Sequence, residues 1–489
     1  MLPPLIERPL IENSRRGAVN RRQERGVTIA LVAIAMVSMI AMAGLSIDVG
    51  TLYQASAEAQ RVADVAALAA AQTISASGIT GAGTPGNDTA NWQQICGGGT
   101  SIATETAVSV AQQNVIGGNA PGLITVNYSV AGGGAQPDCS TLGPGFGVNP
   151  VVTVKVTQSS LPTYFSRIWG RTGSTVSATA SAEVFNPSGS NAYASGSEVV
   201  PVQPRCVKPL MIPNFDPLNP GTCTGTTCNP LVSTSNGAIT NQGILAEGAG
   251  VIGETFWVTP DCLHNRPTCN LRSTPPQANI GTGGRVPPTP NLDYLPGQAS
   301  YSSAAVPTCS SGGDNYEQAI AGCDQSTVYQ CGIQVANTVD TSENPADGDT
   351  TDGAQCLIHQ AATSNDTLTA LGQDVLQPQW AKPLTYPFQI QAGTSNPLTA
   401  VQGSLVSSST SIASLPIYDS TAVAGFPAGT TTQVTIIGFL QVFINYVDGN
   451  GNMNVTVMNV AGCGNGSNPV SANPVFGTSP VPVRLITPP

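Results

Sequence analysis

Charge, histidine and aromatic side chains are all scarce in this chain of 489 residues. Only 9% of its residues are Asp, Glu, Lys or Arg, aromatics make up 5%, and the two histidines are His264 and His359. So few histidines leave most hydrolytic triads without a base, and the sequence holds neither a G-x-S-x-G elbow nor a Walker loop. Lys and Arg number 17 against 28 acids, a net charge of -11, so nucleic-acid phosphates would be repelled. None of the twelve cysteines stands in a C-x-x-C pair. The expectation is therefore a protein that is not an enzyme and holds no cofactor.

One stretch has no charge at all. Residues 27–47, VTIALVAIAMVSMIAMAGLSI, are 21 uncharged residues, which at about 1.5 Å per residue reach roughly 31 Å as a helix and can cross a bilayer's hydrocarbon core. The leader, 1–26, carries six arginines (Arg8, Arg15, Arg16, Arg21, Arg22, Arg25) against three glutamates, and by the positive-inside tendency it is expected to stay cytoplasmic. Beyond the span lie eleven Lys and Arg, 25 Asp and Glu, and all twelve cysteines. Such a body is expected to be exported and to form disulfides. Two processing routes stay open. Ala41-Met42-Ala43 offers a signal-cleavage site before Gly44, and Gly26 sits where a prepilin peptidase would cut, although Leu31 replaces the glutamate that pilin-like subunits usually carry.

Residues 48–77 contain no proline and are rich in alanine, which favours helix. Leu52, Ala55, Ala59, Val62, Ala66 and Ala69 recur every three or four residues, with Glu58, Arg61 and Asp64 on the other face. Span and stripe together predict one helix of about fifty residues, a stalk whose small side chains suit close packing on a sheet, another helix or a partner. Residues 76–100 read as surface loop and 101–116 as a second helix. Strand patterns follow at 123–130, 151–157 and 174–185, with a short amphipathic helix at 161–170 ended by Gly170. These elements predict a small α+β unit over 78–186. Its only two cysteines, Cys96 and Cys139, are the pair it can bridge internally.

The run from Arg25 to Ala71 resembles the N-terminal segment of TadG-like proteins of the tight-adherence (Flp) pilus assembly system. The residues that carry the likeness are Arg25-Gly26 before the span, Asp48 and Gly50 just after it, and Gln60, Ala63, Asp64, Ala66, Ala67 and Leu68 in the alanine run. The similarity extends over roughly 25–185. It implies an accessory of pilus assembly or surface adhesion, anchored once in the bacterial inner membrane, with pilus-assembly or envelope proteins as partners and its C-terminal domains in the periplasm or cell envelope. Some relatives carry an Asp-x-Ser-x-Ser metal site; the nearest string here, Asp340-Thr341-Ser342-Glu343-Asn344, lacks the second serine.

A linker is expected at 187–204, followed by a β-rich, cysteine-containing head over 205–489. Ten further cysteines lie there: Cys206, Cys223, Cys228, Cys262, Cys269, Cys309, Cys323, Cys331, Cys356 and Cys463. Their order does not fix their pairing. Helices are expected at 315–322 and 363–376. Residues 431–447 and 452–462 flank Asp448-Gly449-Asn450-Gly451, a β-hairpin signal. The fold class is thus α+β: a transmembrane helix continuing into a stalk, a small α+β unit and a disulfide-containing β-rich head.

Four constellations have the residue types that chemistry would need. Cys262-x-His264 and Cys356-x-x-His359 offer zinc-type ligands, against which disulfides compete for the thiols. Asp340, Glu343, Asp347, Asp349 and Asp352 form an acidic run that either binds calcium or is a solvated loop; the spacing matches no EF-hand. Asp448-x-Asn450-x-Asn452 begins like a calcium loop but reads better as the hairpin turn. Gly248-Ala249-Gly250-Val251-Ile252-Gly253 has the letters of a dinucleotide fingerprint without a preceding strand or a following helix.

Overall fold

A computed structural model describes residues 21–77, 79, 89–130, 133–147, 149–170, 173–184, 202–219, 229–234, 237, 239–241, 245, 250–260, 291–299, 314–329, 336–340, 343, 348–361, 371–377, 388–406, 408–420, 433–463, 475–477 and 481–486. Three helices open it: α1 (Arg21–Ser75), α2 (Thr89–Cys96) and α3 (Ile102–Gln112). The strands β1 (Leu123–Ser129), β2 (Val151–Leu161) and β3 (Ser174–Val184) follow. Next come β4 (Val202–Pro204), β5 (Leu210–Pro213), β6 (Thr255–Pro260), β7 (Asn291–Pro296), α4 (Asn315–Ala321), β8 (Ala336–Thr338) and α5 (Asp349–Leu357). The remainder is β9 (Val375–Gln377), β10 (Gln389–Gln391), β11 (Leu405–Val406), β12 (Ile412–Tyr418), β13 (Gln433–Val447), β14 (Met453–Gly462), β15 (Val475–Gly477) and β16 (Val483–Ile486).

The alanine-rich composition and the lack of proline give one uninterrupted helix of 55 residues. Its two halves meet different surroundings. Large side chains from Val27 to Ile47 are exposed, whereas Ala55, Ala59, Val62, Ala63, Ala66, Ala67, Ala70, Ala71 and Ile74 are buried. The buried half lies across β2 and β3 and against α3. Alanines end at Cβ, so the helix backbone can sit close to the sheet, into whose core alternate Val152, Val154 and Val156 also point. From Ala55 onward the stalk is thus the core helix of its own unit.

The sheet on α1 has the order β1-β2-β3-β16, all antiparallel. Its fourth strand comes from the far end of the chain: residues 483–486, inside the range read from the sequence as the head, pair with β3. Arg484 on β16 donates through Nε and Nη2, both at 2.9 Å, to Oε2 of the fully buried Glu183 on β3. Val481 also accepts from Ser75 Oγ (2.6 Å), while Asn459 Nδ2 on β14 donates to the Ser75 carbonyl (2.5 Å). One hydrophobic core runs from α1 through these contacts into the C-terminal half.

That half is built on a sheet that closes on itself. β12 pairs with both β5 and β13, so β12-β5-β7-β6-β14-β13 forms a six-stranded ring, with β8 added on β13. Closure leaves those strands no free edge. The hairpin β13–β14 is its longest part, and its turn is held by Asp448, whose Oδ1 accepts from the amides of Asn450 (2.8 Å) and Asn452 (2.9 Å). The small sheet β9-β10-β11 packs through Leu376 and Ile390 on Phe443 and Met458.

Several local expectations need correction. Residues 89–96, read as loop, form α2, because Trp92, Ile95 and Cys96 share one face and are buried. The acidic run contains α5, anchored by buried Thr350, Thr351 and Ala354. The second helix stops at Gln112, since Ile116 instead bridges to Asn119. Within 363–376, Val375 and Leu376 lie on strand β9; residues 362–370 are outside the described residues. At 161–170 the chain finishes β2 and makes only a one-turn 3-10 helix, Ser166–Trp169, capped by Gly170 at φ 81°. The linker range ends in β4, which pairs in parallel with β15.

Because Glu183 is wholly buried, removing its arginine strands a carboxylate in the sheet. Arg484→Ala is expected to destabilise the fold by about 1–3 kcal/mol, below the full cost of breaking a buried pair because Arg484 is 41% exposed. Burial already raises the Glu183 carboxyl, and the Arg484 charge and hydrogen bond oppose that rise. Without them it rises further, so the folded state holds its proton to higher pH than the unfolded chain and stability falls as pH climbs above the ordinary carboxyl range. Thermal unfolding should show a larger Arg484→Ala deficit at pH 8 than at pH 4.5.

Candidate functional site

The two halves of α1 meet at Gly44 and Asp48. These two residues, four apart on one face, are buried among otherwise exposed neighbours. Asp48 reaches the turn that follows β2. Its Oδ1 accepts from the Tyr164 amide (2.9 Å), its Oδ2 from Ser166 (2.8 Å), and Phe165 N–H lies between them at 3.3 and 3.1 Å. These are orphan amides at the start of the Ser166–Trp169 turn, whose own cap residue, Phe165, gives no side-chain bond. A carboxylate from a helix 116 residues earlier supplies the missing acceptor. Burial pushes the Asp48 carboxyl up, but the bonds from Ser166, Tyr164 and Phe165 outweigh it and hold it below its ordinary value.

Gly44 completes the contact sterically. A Cβ built there would lie 2.5 Å from Cγ of Phe165, so the ring rests where a side chain would be. Tyr53 and Tyr164 stay exposed around this collar. About three turns beyond Asp48, Glu58 Oε2 accepts from the Gly117 amide (2.7 Å), docking a second loop on α1. Between these loops and the helix lies a shallow cleft of about 170 Å³ lined by Leu52, Ala55, Leu161 and Pro162.

The resemblance-bearing residues thus receive physical roles. Asp48 latches the 164–166 turn; Ala63, Ala66 and Ala67 are fully buried, and Leu68 packs on the same core. Gln60 donates to Asp64 Oδ1 (2.8 Å) and reaches the Thr179 carbonyl at 3.4 Å. Gly50 is exposed, and a Cβ there would meet nothing within 4 Å. Arg25 and Gly26 lie in α1, and the Arg25 side chain is outside the described residues.

The other candidates separate. Cys96 is bonded to Cys139 and Cys206 to Cys323, while Cys356 and Cys463 are also in disulfides. Cys223, Cys228, Cys262, Cys269, Cys309, Cys331 and His264 are outside the described residues. A bonded Cys356 offers no thiolate, which overturns a zinc site with His359. The acidic run brings Glu343 and Asp349 together with Asp314, with oxygens within 4.8 Å of one another. Burial, then Asp314 and Asp349, push Glu343 up to about 8. Asp340 Oδ1 accepts from the Glu343 amide (3.2 Å), Asp352 sits in α5, and Asp347 is outside the described residues. Gly253 leads into a strand, β6, so the glycine string opens no helix.

Also buried are Lys208, Asp216 and Glu254. Their one sequence signal is a charge set within an apolar run, as in KPLMIPNFDPL and VIGETFWV. Lys208 donates through Nζ to the Gly322 carbonyl, and burial pulls it down to about 7, against the opposing Asp324 charge.

Asp48→Ala leaves three amides without an acceptor and is expected to loosen the turn they open. Hydrogen exchange should show faster exchange at Tyr164, Phe165 and Ser166 with α3 unchanged; Gly44→Leu should act on the same amides by displacing Phe165. No curated protein and no solved structure matches the chain. Residues 26–73, the stretch of α1 that carries the Asp48 latch and the buried alanine face, match the family model described as "Putative Flp pilus-assembly TadE/G-like", and this match ties the N-terminal helix to Flp pilus assembly.

Proposed function

We propose that this protein is a membrane-anchored, non-enzymatic accessory of Flp (Tad) pilus assembly or surface adhesion that works through protein-protein contacts of its folded body. In this reading residues 1–26 stay in the cytoplasm and 27–47 cross the inner membrane. Residues from Asp48 onward then stand in the periplasm or cell envelope. The observation that carries it is the abrupt change along one helix, from exposed apolar side chains up to Ile47 to a buried alanine face from Ala55. An unbroken helix latched at Gly44 and Asp48 would hold the body directly against the bilayer, close to whatever machinery it serves. Disulfides such as Cys206–Cys323, which closes a separation of 117 residues, suit an oxidising compartment. The partners proposed are pilus-assembly or envelope proteins.

The test is complementation in the native host. Deleting the coding sequence should abolish or sharply reduce surface pili and adherence, and the full chain should restore both. A variant with residues 1–47 replaced by a cleavable leader, exported but released from the membrane, should fail. Unchanged piliation in the deletion strain would overturn the role in assembly, and full rescue by the released body would overturn the anchored mechanism.

A further inference from the structure

Buried carboxyls in this chain are handled in two ways. Glu183 has an arginine. Asp216 and Glu254 are equally inaccessible, each at 0% exposure, and no described lysine or arginine pairs with either. Asp216 follows β5, and its Oδ1 is fixed by the amides of Leu218 (3.1 Å) and Asn219 (2.9 Å). Glu254 leads into β6, its carbonyl accepting from Val457 N–H on β14 at 2.8 Å. Two asparagines join them: Asn241 Nδ2 donates to Asp216 Oδ2, and Asn219 Nδ2 donates to Glu254 Oε1 at 3.0 Å. The Glu254 carboxyl faces that of Asp216, and its Oε2, without exposed surface, has no donor.

We propose that Asp216, Asn219, Asn241 and Glu254 bind a divalent cation of the calcium class. Two carboxylates facing each other in a buried site need a counter-charge, and one dication supplies it completely. The donor set is all oxygen, without histidine or thiolate, which selects a hard ion. Each asparagine, turned by half a rotation of its amide, presents Oδ1 where Nδ2 now stands, and Glu254 adds both carboxylate oxygens, including the one now unpaired. Full burial leaves little room for a retained water shell, which favours calcium over magnesium. The ion would tie the loop after β5 to the start of β6 and so brace the closed ring of strands. The competing account is a proton shared between the two carboxyls, consistent with burial and then Asp216 pushing Glu254 up to about 9.

The two accounts separate in thermal unfolding of the detergent-solubilised full chain at pH 7, with calcium chloride or with a chelator. Calcium at a hundredfold excess over its Kd should raise Tm by about 3 °C. Glu254→Gln keeps the shape, and mimics the protonated acid, so it should fold and lose this response; Glu343→Gln, in the separate Asp314 cluster, should keep it. Equal Tm of the unaltered chain in calcium and chelator would overturn the proposal, as would a calcium response that survives Glu254→Gln or disappears with Glu343→Gln.

Discussion

The rest of the structure depends on the fit between the alanine face of α1 and the sheet laid over it. A helix of 55 residues has no stable tertiary position of its own; what places it is a strip of side chains small enough to bring its backbone against β2, β3 and β16. The cost of a larger residue on that strip follows from close packing: an added side chain at Ala66 or Ala67, both fully buried, has no volume to enter. The same helix shows the opposite logic before Gly44, where its large apolar side chains meet no protein and are exposed. Gly44 and Asp48 mark the change of surroundings, one by having no side chain under Phe165 and the other by closing three open amides.

Elements of the C-terminal half converge on this helix. β16 completes the sheet against α1, Val481 accepts from Ser75, and Asn459 of the barrel hairpin holds the Ser75 carbonyl. Closure of a six-stranded ring behind that junction makes the C-terminal half a continuation of the same core. Force applied to the barrel would reach α1 through strand pairing and buried hydrogen bonds, an arrangement suited to a body held at a membrane.

What was legible in the sequence was whatever declares itself over a long run of neighbours. The apolar span, the alanine stripe and the β13–β14 hairpin have regular periods and plain turn chemistry, so their class and approximate limits could be read directly. Short elements were hidden by composition. The polar stretch around α2 is helical because Trp92 and Ile95 find a core, including Phe146 at 5.7 Å from the Trp92 ring. α5 carries a glycine, Gly353, that local propensity counts against helix, yet a Cβ there would come within 2.8 Å of the Glu317 carbonyl on α4. Long-range pairings carry no local signature. Neither the match of Asp48 with 164–166 nor that of β16 with β3 could be found without the fold, and the Asp216–Glu254 site gathers residues spread along the connection between β5 and β6.

In the proposed role α1 is membrane span and core helix in one unbroken helix. The most direct test is the intact, non-reduced mass of the protein extracted from the membrane fraction. Full-length mass, less two hydrogens for each disulfide, is the predicted result. A product that begins at Gly44 would mean that the body has been severed from its span, and one that begins at Val27 would mean a processed pilin-like subunit; either would contradict a permanently anchored protein.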